Sequence, residues 1–365
     1  PSLHHPGALL PLPPSPPLPS LWLPGRCALL APRSRRVLSM RSTLRHCRRF
    51  SRLVPAHPKV FPSAALAVAD VPQGAKLLVG GFGLSGVPEN LISAIRDLGV
   101  GDLTVVSSNV GTDKRGLGLL FQTGQISRVV SAYVGENEIF EEQFLNGKIE
   151  VELVPMGTLA ERMRCAGAGI PAFFTRTGVG TLVHHGGMPQ RYSADGKRSV
   201  IQSSAPRESR RFAIPDVTAN GEAEAEYLME EALHGDFALV KAWKGDTEGN
   251  LVYRKTARNH NPPVATAGRI TIAEVEELVP AGTLDPDLIH TPGIYVDRVV
   301  QGERMGVIER LTLADDEESS FSPASNPADR LRERIVRRAA LELKDGDYVN
   351  LGADDHSLLL CSGNQ

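Results

Sequence analysis

Residues 76–92 constrain the fold most strongly, because they join a buried-strand pattern to a helix start through a glycine-rich turn. The apolar run at residues 77–79 is typical of a buried parallel strand. Pro88 then suits the first turn of a helix. Between them lie four glycines, where a chain needs positive φ or close backbone approach: Gly80, Gly81, Gly83 and Gly86. The stretch predicts a strand, a glycine loop and a helix, whose free backbone N–H groups can face an anion or a developing negative oxygen.

The last three of these glycines also match the dinucleotide fingerprint G-x-G-x-x-G, which makes a nicotinamide site an alternative. That fingerprint needs an acidic residue about 20 positions further on, at the end of the next strand. The next strand pattern, residues 103–107, is followed by Ser108-Asn109 and offers no carboxylate. The sequence therefore disfavours a nicotinamide site, and a purely structural tight turn stays open as the simpler alternative.

From residue 64 onward, apolar strand patterns alternate with helical patterns. Strands are predicted at residues 76–80, 103–107, 128–132 and 149–154. Helices are predicted to begin at Pro88, Gly116, Glu136 and Thr158. This alternation predicts an α/β fold with an open, mostly parallel sheet flanked by helices. In such a sheet the loops that follow the strands form the ligand crevice.

The later part of the chain carries weaker patterns. Residues 186–215 mix polar residues with prolines, which indicates hairpins or an excursion on the surface. A run of glutamates favours a helix over residues 222–234 with a solvated acidic face. The remaining predicted elements are strands at 237–240 and 250–253 around a turn at 245–249, a helix over 330–343 and a strand at 348–352.

Charge is distributed unevenly along the 365 residues. Residues 1–69 contain nine Arg, one Lys and no Asp or Glu. An arginine-rich, acid-free terminus is typical of a mitochondrial transit peptide, and a disordered basic tail is the alternative. We therefore interpret residues 1–58 as a disordered leader outside the fold, with Met40 as a candidate start.

Several classes of protein are disfavoured. No run of 18 continuous apolar residues occurs, so no transmembrane helix is predicted. The four cysteines share no metal-ligand spacing, which fits free thiols in a reducing compartment. His184 and His185 are adjacent and are predicted to point to opposite faces of a strand, while His260 and His290 are isolated. No metal site is therefore predicted.

The glycine stretch, read as VGGFGLSGVPENLI, resembles the first signature of the family I coenzyme A transferases. The resemblance continues through SAYVGEN at 131–137 and VELVPMGTLAER at 151–162, and covers most of residues 65–352. It is strongest to the members that move CoA from succinyl-CoA to acetoacetate in mitochondrial ketone-body breakdown. It implies transfer without a metal or an organic cofactor other than the CoA substrate, and a location in the mitochondrial matrix.

In this family a glutamate of a Ser-Glu-Asn-Gly motif in the second half attacks the acyl-CoA thioester and becomes a glutamyl-CoA intermediate. No Glu-Asn-Gly occurs in this sequence, so no catalytic residue is assigned. Glu136 stands before Asn137 and Glu138 in the first half, and we interpret it as structural. The resemblance implies a first-half domain at 59–311, a linker at 312–329, the start of a truncated second half at 330–352 and a non-family tail at 353–365. A frame change, an alternative exon or a truncated gene model would explain that ending.

The first half supplies the substrate and oxyanion wall of the family's active site. The residues that match this wall are Gly81, Phe82, Gly83, Gly86, Ser108, Asn109, Tyr133 and Met156. Two of them depart from the pattern: Ser108 replaces the asparagine that acts as oxyanion donor, and Met156 replaces a glutamine. These departures favour altered specificity or relaxed function.

The resemblance leaves two functions open. One is a transferase half that is inactive alone because the glutamate is missing. The alternative is a non-catalytic carboxylate-binding or assembly module that pairs with an intact transferase chain. The expected partners are a small carboxylic acid, a CoA thioester and a second protein chain, either a homo-oligomer or a transferase, with no nucleic acid and no membrane. Basic residues at Lys241, Arg254, Lys255 and Arg258, with Trp243 among them, are interpreted as solvated surface, with CoA phosphates as the alternative.

Overall fold

A computed structural model describes residues 59–135, 137–216, 221–303, 327–344 and 346–347. Strands are numbered in chain order, and eight of them form the body of the main sheet. They are β1 (Val60–Phe61), β2 (Lys76–Val79), β3 (Leu103–Ser107), β4 (Ile126–Ser131), β5 (Glu150–Leu153), β11 (Gly235–Asp246), β13 (Gly268–Val279) and β14 (Arg298–Gln301). They run parallel in the order β1-β14-β13-β11-β2-β3-β4-β5, and a short antiparallel strand, β12 (Leu251–Val252), pairs with β11. The predicted α/β fold with an open, mostly parallel sheet is confirmed.

Helices cover both faces of the sheet. The α-helices in the described part of the chain are α1 (Ala64–Ala67), α2 (Glu89–Leu98), α3 (Gly118–Gln122), α4 (Glu138–Leu145), α5 (Met156–Ala168), α6 (Leu182–His185), α7 (Asn261–Ala267) and α8 (Pro327–Ala340). Successive side chains of a strand point to opposite faces, so Leu77 packs in the core under α2 to α4, and Leu78 in the core under α5 and α7. Burial on both faces explains the uninterrupted apolar run of β2.

The elements predicted between residues 76 and 168 agree with the structure to within two residues at each compared boundary. The helix predicted at Pro88 begins at Glu89, with Pro88 at its N-cap. The helix predicted at Glu136 begins at Glu138, capped by the Asn137 side chain, while Glu136 itself lies outside the described residues. The helix predicted at Thr158 begins earlier, at Met156.

The helix predicted over residues 222–234 is wrong. The chain there forms β10 (Gly221–Glu231), the central strand of a three-stranded antiparallel sheet between β6 (Ala172–Thr175) and β9 (Ser209–Asp216). The Glu-Ala alternation has period two, which fits a strand, and the count of glutamates hid it. The acidic run is not uniformly solvated either, because Glu230 is fully buried.

The predicted surface excursion contains a small hairpin, β7 (Pro189–Tyr192) with β8 (Val200–Ser203). The strands predicted at 237–240 and 250–253 are found as parts of β11 and β12. Helix α8 begins at Pro327, inside the segment assigned to the linker, because proline is well tolerated in a first helical turn. The leader at 1–58, the predicted strand at 348–352 and the tail at 353–365 lie outside the described residues.

No helix in the described part of the chain is long and apolar enough to cross a membrane.

Candidate active site

The loop that follows β2, residues 80–88, is called the glycine loop here. Phe82 and Ser85 exchange both backbone hydrogen bonds at 3.0 Å, which closes a tight turn between them. Gly81, Gly83 and Gly86 adopt φ values of +117°, +56° and +70°. Side chains rarely accept this region, so the turn needs glycine there. The turn presents Phe82 and Leu84 to solvent, with 51% and 41% of their surface exposed.

Asn261, the first residue of α7, holds the glycine loop from below. Its fully buried amide donates to the Gly86 carbonyl at 3.0 Å and to the Ala257 carbonyl at 2.9 Å, and its Oδ1 accepts the Lys241 N–H at 2.9 Å. A Cβ on Gly80 would lie 2.0 Å from Asn261 Oδ1. The glycines therefore permit close approach as well as positive φ. The sequence analysis missed Asn261, which carries no local signal of this contact.

A buried carboxylate fixes the start of α2 directly after the loop. Glu274 on β13 accepts the backbone N–H groups of Asn90 and Leu91 at 2.9 and 3.1 Å, and the Asn90 amide at 2.7 Å. Lys241 Nζ lies 2.7 Å from the same carboxylate, whose side chain is 0% exposed. Free N–H groups of a helix start attract a negative charge, and the lysine balances it. Lys241 is therefore part of a buried ion pair, and its placement in a solvated basic surface is wrong.

Ser108 and Asn109 follow β3 and lie beside the glycine loop. The buried Ser108 hydroxyl donates to the Gly81 carbonyl at 2.8 Å, and the Asn109 amide lies 3.5 Å from the Gly83 carbonyl. A small cavity of about 10 Å³, room for roughly one water, lies between the loop and the end of β3. The only proton of the Ser108 hydroxyl is thus donated to the loop. The Asn109 amide has two N–H protons and makes only a long contact, so it can still donate a hydrogen bond to a ligand.

Tyr133 and Met156 follow β4 and β5 at the same edge. Ser131 at the end of β4 shares its one hydroxyl proton between the carbonyls of Ser108 and Tyr133, at 3.2 and 3.1 Å, which ties the two strand ends together. The Tyr133 side chain is 57% exposed. Met156 is half-buried as the first residue of α5. The structure therefore brings all eight wall residues to the carboxyl edge of one parallel sheet.

Two titratable groups border this edge. Burial lowers the pKa of His260, whose ring stacks near Phe82 with 6.4 Å between ring centroids. Its buried Nδ1 has no hydrogen-bond partner among the described residues. Burial raises the pKa of Glu89, although a hydrogen bond from the Gly116 N–H at 2.9 Å opposes the shift. Sequence reasoning assigned neither group to the site.

The other candidate residues of the sequence analysis are the histidine pair and the basic residues near Trp243. His184 and His185 lie in α6 with their rings stacked 4.4 Å apart, so their placement on opposite faces of a strand is wrong. Among the described residues no group of three or more side chains is placed to hold a metal ion. Arg254 pairs with Glu276 at 3.1 Å and lies over the Trp243 ring, while Lys255 and Arg258 are exposed.

Comparison with known proteins matches residues 61–302 to a family model described as coenzyme A transferase. The chain is 49% identical over 295 residues to human mitochondrial succinyl-CoA:3-ketoacid coenzyme A transferase 2, covering 80% of this chain and 54% of that protein. It is 55% identical over 242 residues to one probable subunit of a succinyl-CoA:3-ketoacid coenzyme A transferase of Mycobacterium tuberculosis, covering 66% of this chain and 93% of that polypeptide. The chain thus spans about half the length of the mammalian relatives it matches.

Solved structures share the fold. An acyl-CoA transferase from Escherichia coli O157:H7, in a thioester complex with CoA, superposes with a TM-score of 0.58 at 23% identity, over 82% of this chain and 60% of that chain. Glutaconate coenzyme A-transferase from Acidaminococcus fermentans gives a TM-score of 0.50 at 18% identity, over 67% and 76% of the two chains.

Proposed function

This chain belongs to the coenzyme A transferase family, and from that premise we propose that it forms the first-half domain of an enzyme that moves CoA from succinyl-CoA to acetoacetate. The observation that carries the proposal is the convergence of four strand ends on one edge. The glycine loop, Ser108-Asn109, Tyr133 and Met156 follow β2, β3, β4 and β5 there. Open parallel sheets bind ligands at this edge.

In the proposed reaction a glutamate from the second half attacks the thioester carbon. The carbonyl oxygen takes up negative charge, and CoA thiolate leaves to give a mixed anhydride. The thiolate then attacks the glutamyl carbon and releases succinate, leaving a glutamyl-CoA thioester that the acceptor acid resolves by the reverse steps. The wall of this chain faces the charged oxygen and shields it from water. Each hydrogen-bond donor aimed at that oxygen is worth about 3–4 kcal/mol in measured systems.

The geometry described above supports an assignment of the wall's donors. The Ser108 hydroxyl donates its proton to the Gly81 carbonyl. We therefore assign the oxyanion donor role to the Asn109 amide and the backbone N–H groups of the glycine loop rather than to the Ser108 hydroxyl. The exposed rings of Phe82 and Tyr133 cover the acyl group. Met156 offers an apolar contact where the family has an amide, which favours a less polar acyl group at that point.

We further propose that residues 1–365 alone do not catalyse transfer, because the family's glutamate motif is absent from them. A second candidate function is an assembly module that pairs with an intact transferase chain without contributing activity. The M. tuberculosis relative, 93% covered by this chain, is by its name one subunit of a transferase, which supports pairing with a second polypeptide in either case.

The experiment is an assay of CoA exchange between succinyl-CoA and acetoacetate with the purified full chain. We expect no exchange by the chain alone, and exchange on addition of a second-half polypeptide from a related transferase. A matched control adds the same polypeptide with its motif glutamate changed to alanine. Exchange by the unaided chain would refute the inactivity. Tight pairing without exchange would favour the assembly module.

The cellular context belongs to the same proposal. We infer a mitochondrial matrix location from the basic, acid-free residues 1–58, and the mammalian relatives are mitochondrial proteins. The transfer needs CoA as a substrate and no further cofactor.

A further inference from the structure

A second tight turn lies beside the glycine loop, shortly after the end of β3. It comprises residues 111–116 and is called the second turn here. Its two end residues, Gly111 and Gly116, adopt φ values of +72° and +57°, and a backbone hydrogen bond of 3.2 Å joins its second and fifth residues. A Cβ on Gly116 would lie 3.5 Å from Val87 Cγ1 of the glycine loop and 3.7 Å from the Cα of Gly111. The two ends of the second turn therefore lie side by side against the glycine loop.

Glu89 fastens the second turn to α2. This glutamate is the first residue of α2 and is 8% exposed. Its Oε2 accepts the Gly116 N–H at 2.9 Å. Burial raises the pKa of the Glu89 carboxyl, and the hydrogen bond from Gly116 is the largest of the interactions that oppose this shift. The buried carboxylate takes no part in the proposed reaction steps, and what it holds is the end of the second turn.

The other end of the second turn orients the Asn109 amide. The Gly111 N–H group faces Asn109 Oδ1, with 3.4 Å between nitrogen and oxygen, and Asn109 Nδ2 lies 3.5 Å from the Gly83 carbonyl oxygen. If the amide were turned over, its NH₂ group would face the Gly111 N–H and its oxygen would face the Gly83 carbonyl. Both of those arrangements are repulsive. The Gly111 N–H therefore selects the orientation in which the donor end of the Asn109 amide faces the glycine loop.

From these contacts we propose that Glu89 is a positioning residue for the transfer reaction. Through Gly116 it holds the second turn in the place from which Gly111 orients the Asn109 amide toward the reacting oxygen. Glu89 acts through Asn109 rather than on substrate. This role rests on the proposed function, in which Asn109 is an oxyanion donor. Such a donor stabilises the transition state when its direction is fixed before the reaction begins.

The test is the exchange assay between succinyl-CoA and acetoacetate, with the full chain and the added second-half polypeptide. Glu89→Ala removes the acceptor of the Gly116 N–H and should lower kcat about tenfold or more, because a donor moved out of line loses its effect on the transition state. The KM values should stay close to those of the wild type. Glu89→Gln keeps an oxygen that can accept the same N–H and should recover most of the lost kcat.

Three further variants separate the hydrogen bond from other effects of the side chain. Glu89→Asp keeps a negative charge at the start of α2 but is one methylene shorter, so it should lose kcat as Glu89→Ala does. Ile92→Val weakens the fully buried face of the same helix without touching the second turn, and should leave kcat unchanged. In an Asn109→Ala background the amide is gone, so Glu89→Ala should lower kcat little further. Equal losses in Glu89→Ala and Glu89→Gln, or independent losses for Glu89 and Asn109, would overturn the role.

Amide hydrogen exchange of the full chain gives a readout that needs no transfer. The backbone N–H groups of residues 111–116 should exchange faster in Glu89→Ala and Glu89→Asp than in the wild type, and at nearly the wild-type rate in Glu89→Gln. Unchanged exchange in both of the first two variants would overturn the role of Glu89 whatever the activity. An inactive wild-type pair would refute the proposed function and this role with it. An active wild-type pair in which Glu89→Ala keeps its kcat would refute the role of Glu89 alone.

Discussion

At the scale of single residues, the candidate active site is held in place by groups that do not face it. Asn261 fastens the glycine loop, and Glu274 with Lys241 fixes the first turn of α2. These three residues are at most 9% exposed. Side chains at the candidate site can therefore vary in chemistry, as at Ser108 and Met156, while the backbone of the glycine loop keeps its path.

Gly86→Ala tests the close approach in the loop. The added methyl would meet the Ala257 carbonyl oxygen at 2.7 Å and Asn261 Nδ2 at 2.8 Å, at a φ of +70°. Gly124→Ala is the matched control, with a φ of +66° and no atom within 4 Å of the new Cβ. The control should cost about 1–2 kcal/mol for the left-handed conformation alone. Gly86→Ala should cost clearly more in urea unfolding, and equal losses would contradict the role of Asn261.

Lys241 and Glu274 should behave as one unit in a double-mutant cycle. Glu274→Gln leaves a buried lysine without its counter-charge and turns an acceptor toward helix N–H groups into a donor. We expect it to cost about 3–5 kcal/mol of unfolding free energy. In Lys241→Met with Glu274→Gln, the loss should fall well short of the sum of the single losses, because the unpaired charge is gone.

The control cycle uses Lys244 and Glu277, which pair at 3.0 Å on the same two strands three residues further along. Their side chains are 27% and 49% exposed, so their coupling should be at most about 1 kcal/mol. Equal coupling in the two cycles would show that burial does not set the strength of the Lys241–Glu274 pair.

At the scale of elements, sequence patterns predicted the strands and helices between residues 76 and 168 because each fold-determining signal there is local. Leu77 to Val79 is apolar throughout, and glycine and proline mark the turns on either side. The strand β10 was missed because the count of its glutamates hid the period-two alternation, and its pairing, with Leu228 opposite Thr175 on one side and Ser209 on the other, cannot be read from a local pattern. The wall residues could be found by resemblance, whereas Asn261 and Glu274 act through contacts more than 170 residues away in sequence.

A buried charge network joins this three-stranded sheet to the main sheet. Arg162 and Arg207 contact Glu152 of β5 at 3.0 and 3.2 Å, and they lie 3.9 and 3.6 Å from Glu230 of β10. Neither Glu230 carboxylate oxygen has a hydrogen bond among the described residues. The arginines are thus close partners of Glu152 and distant ones of Glu230, so the two acids titrate differently.

The two acids should give opposite pH dependence. Burial raises the pKa of Glu230 despite Arg207 and Arg162, so its charge costs stability above that pKa and the cost fades as the pH falls toward 4.5. Burial alone would raise the pKa of Glu152, but Arg162, Arg207 and Arg128 together lower it, so its contribution is present above pH 4.5 and lost as the pH falls through the lowered pKa.

Urea unfolding between pH 3 and 8 measures this difference. As the pH rises, the stability of Glu230→Gln relative to wild type should improve, and that of Glu152→Gln should worsen. Arg164→Gln, which removes an exposed pair with Glu161, should show little pH-dependent change above pH 5. If both glutamine variants shift in the same direction, the network does not distinguish the two acids.

At the scale of the whole molecule, the transferase domain occupies residues 61–302 and the strongly basic segment lies before it. Composition alone distinguished the basic segment, because residues 1–69 carry no Asp or Glu and residues 70–365 carry all 42. The prediction that the basic segment is a mitochondrial transit peptide belongs to this scale.

Residues 1–58 fused to a fluorescent reporter should direct it to mitochondria, because an arginine-rich, acid-free segment is attracted by the import machinery. The same segment with its nine arginines changed to glutamine should leave the reporter in the cytosol. Imaging against a mitochondrial dye measures both. Import of the glutamine version to the same extent would contradict a charge-driven signal.

The strand order of the main sheet has a consequence for how the protein is made. β2 lies between β3, which follows it closely, and β11, which follows after about 155 residues of chain. At typical ribosomal speeds of about 5–20 residues per second, one flank of β2 waits roughly 8–30 seconds for its neighbour. Until β11 has left the ribosome, the edge of β2 that pairs with it in the finished sheet has no partner strand, and that edge is the one a chaperone would have to protect.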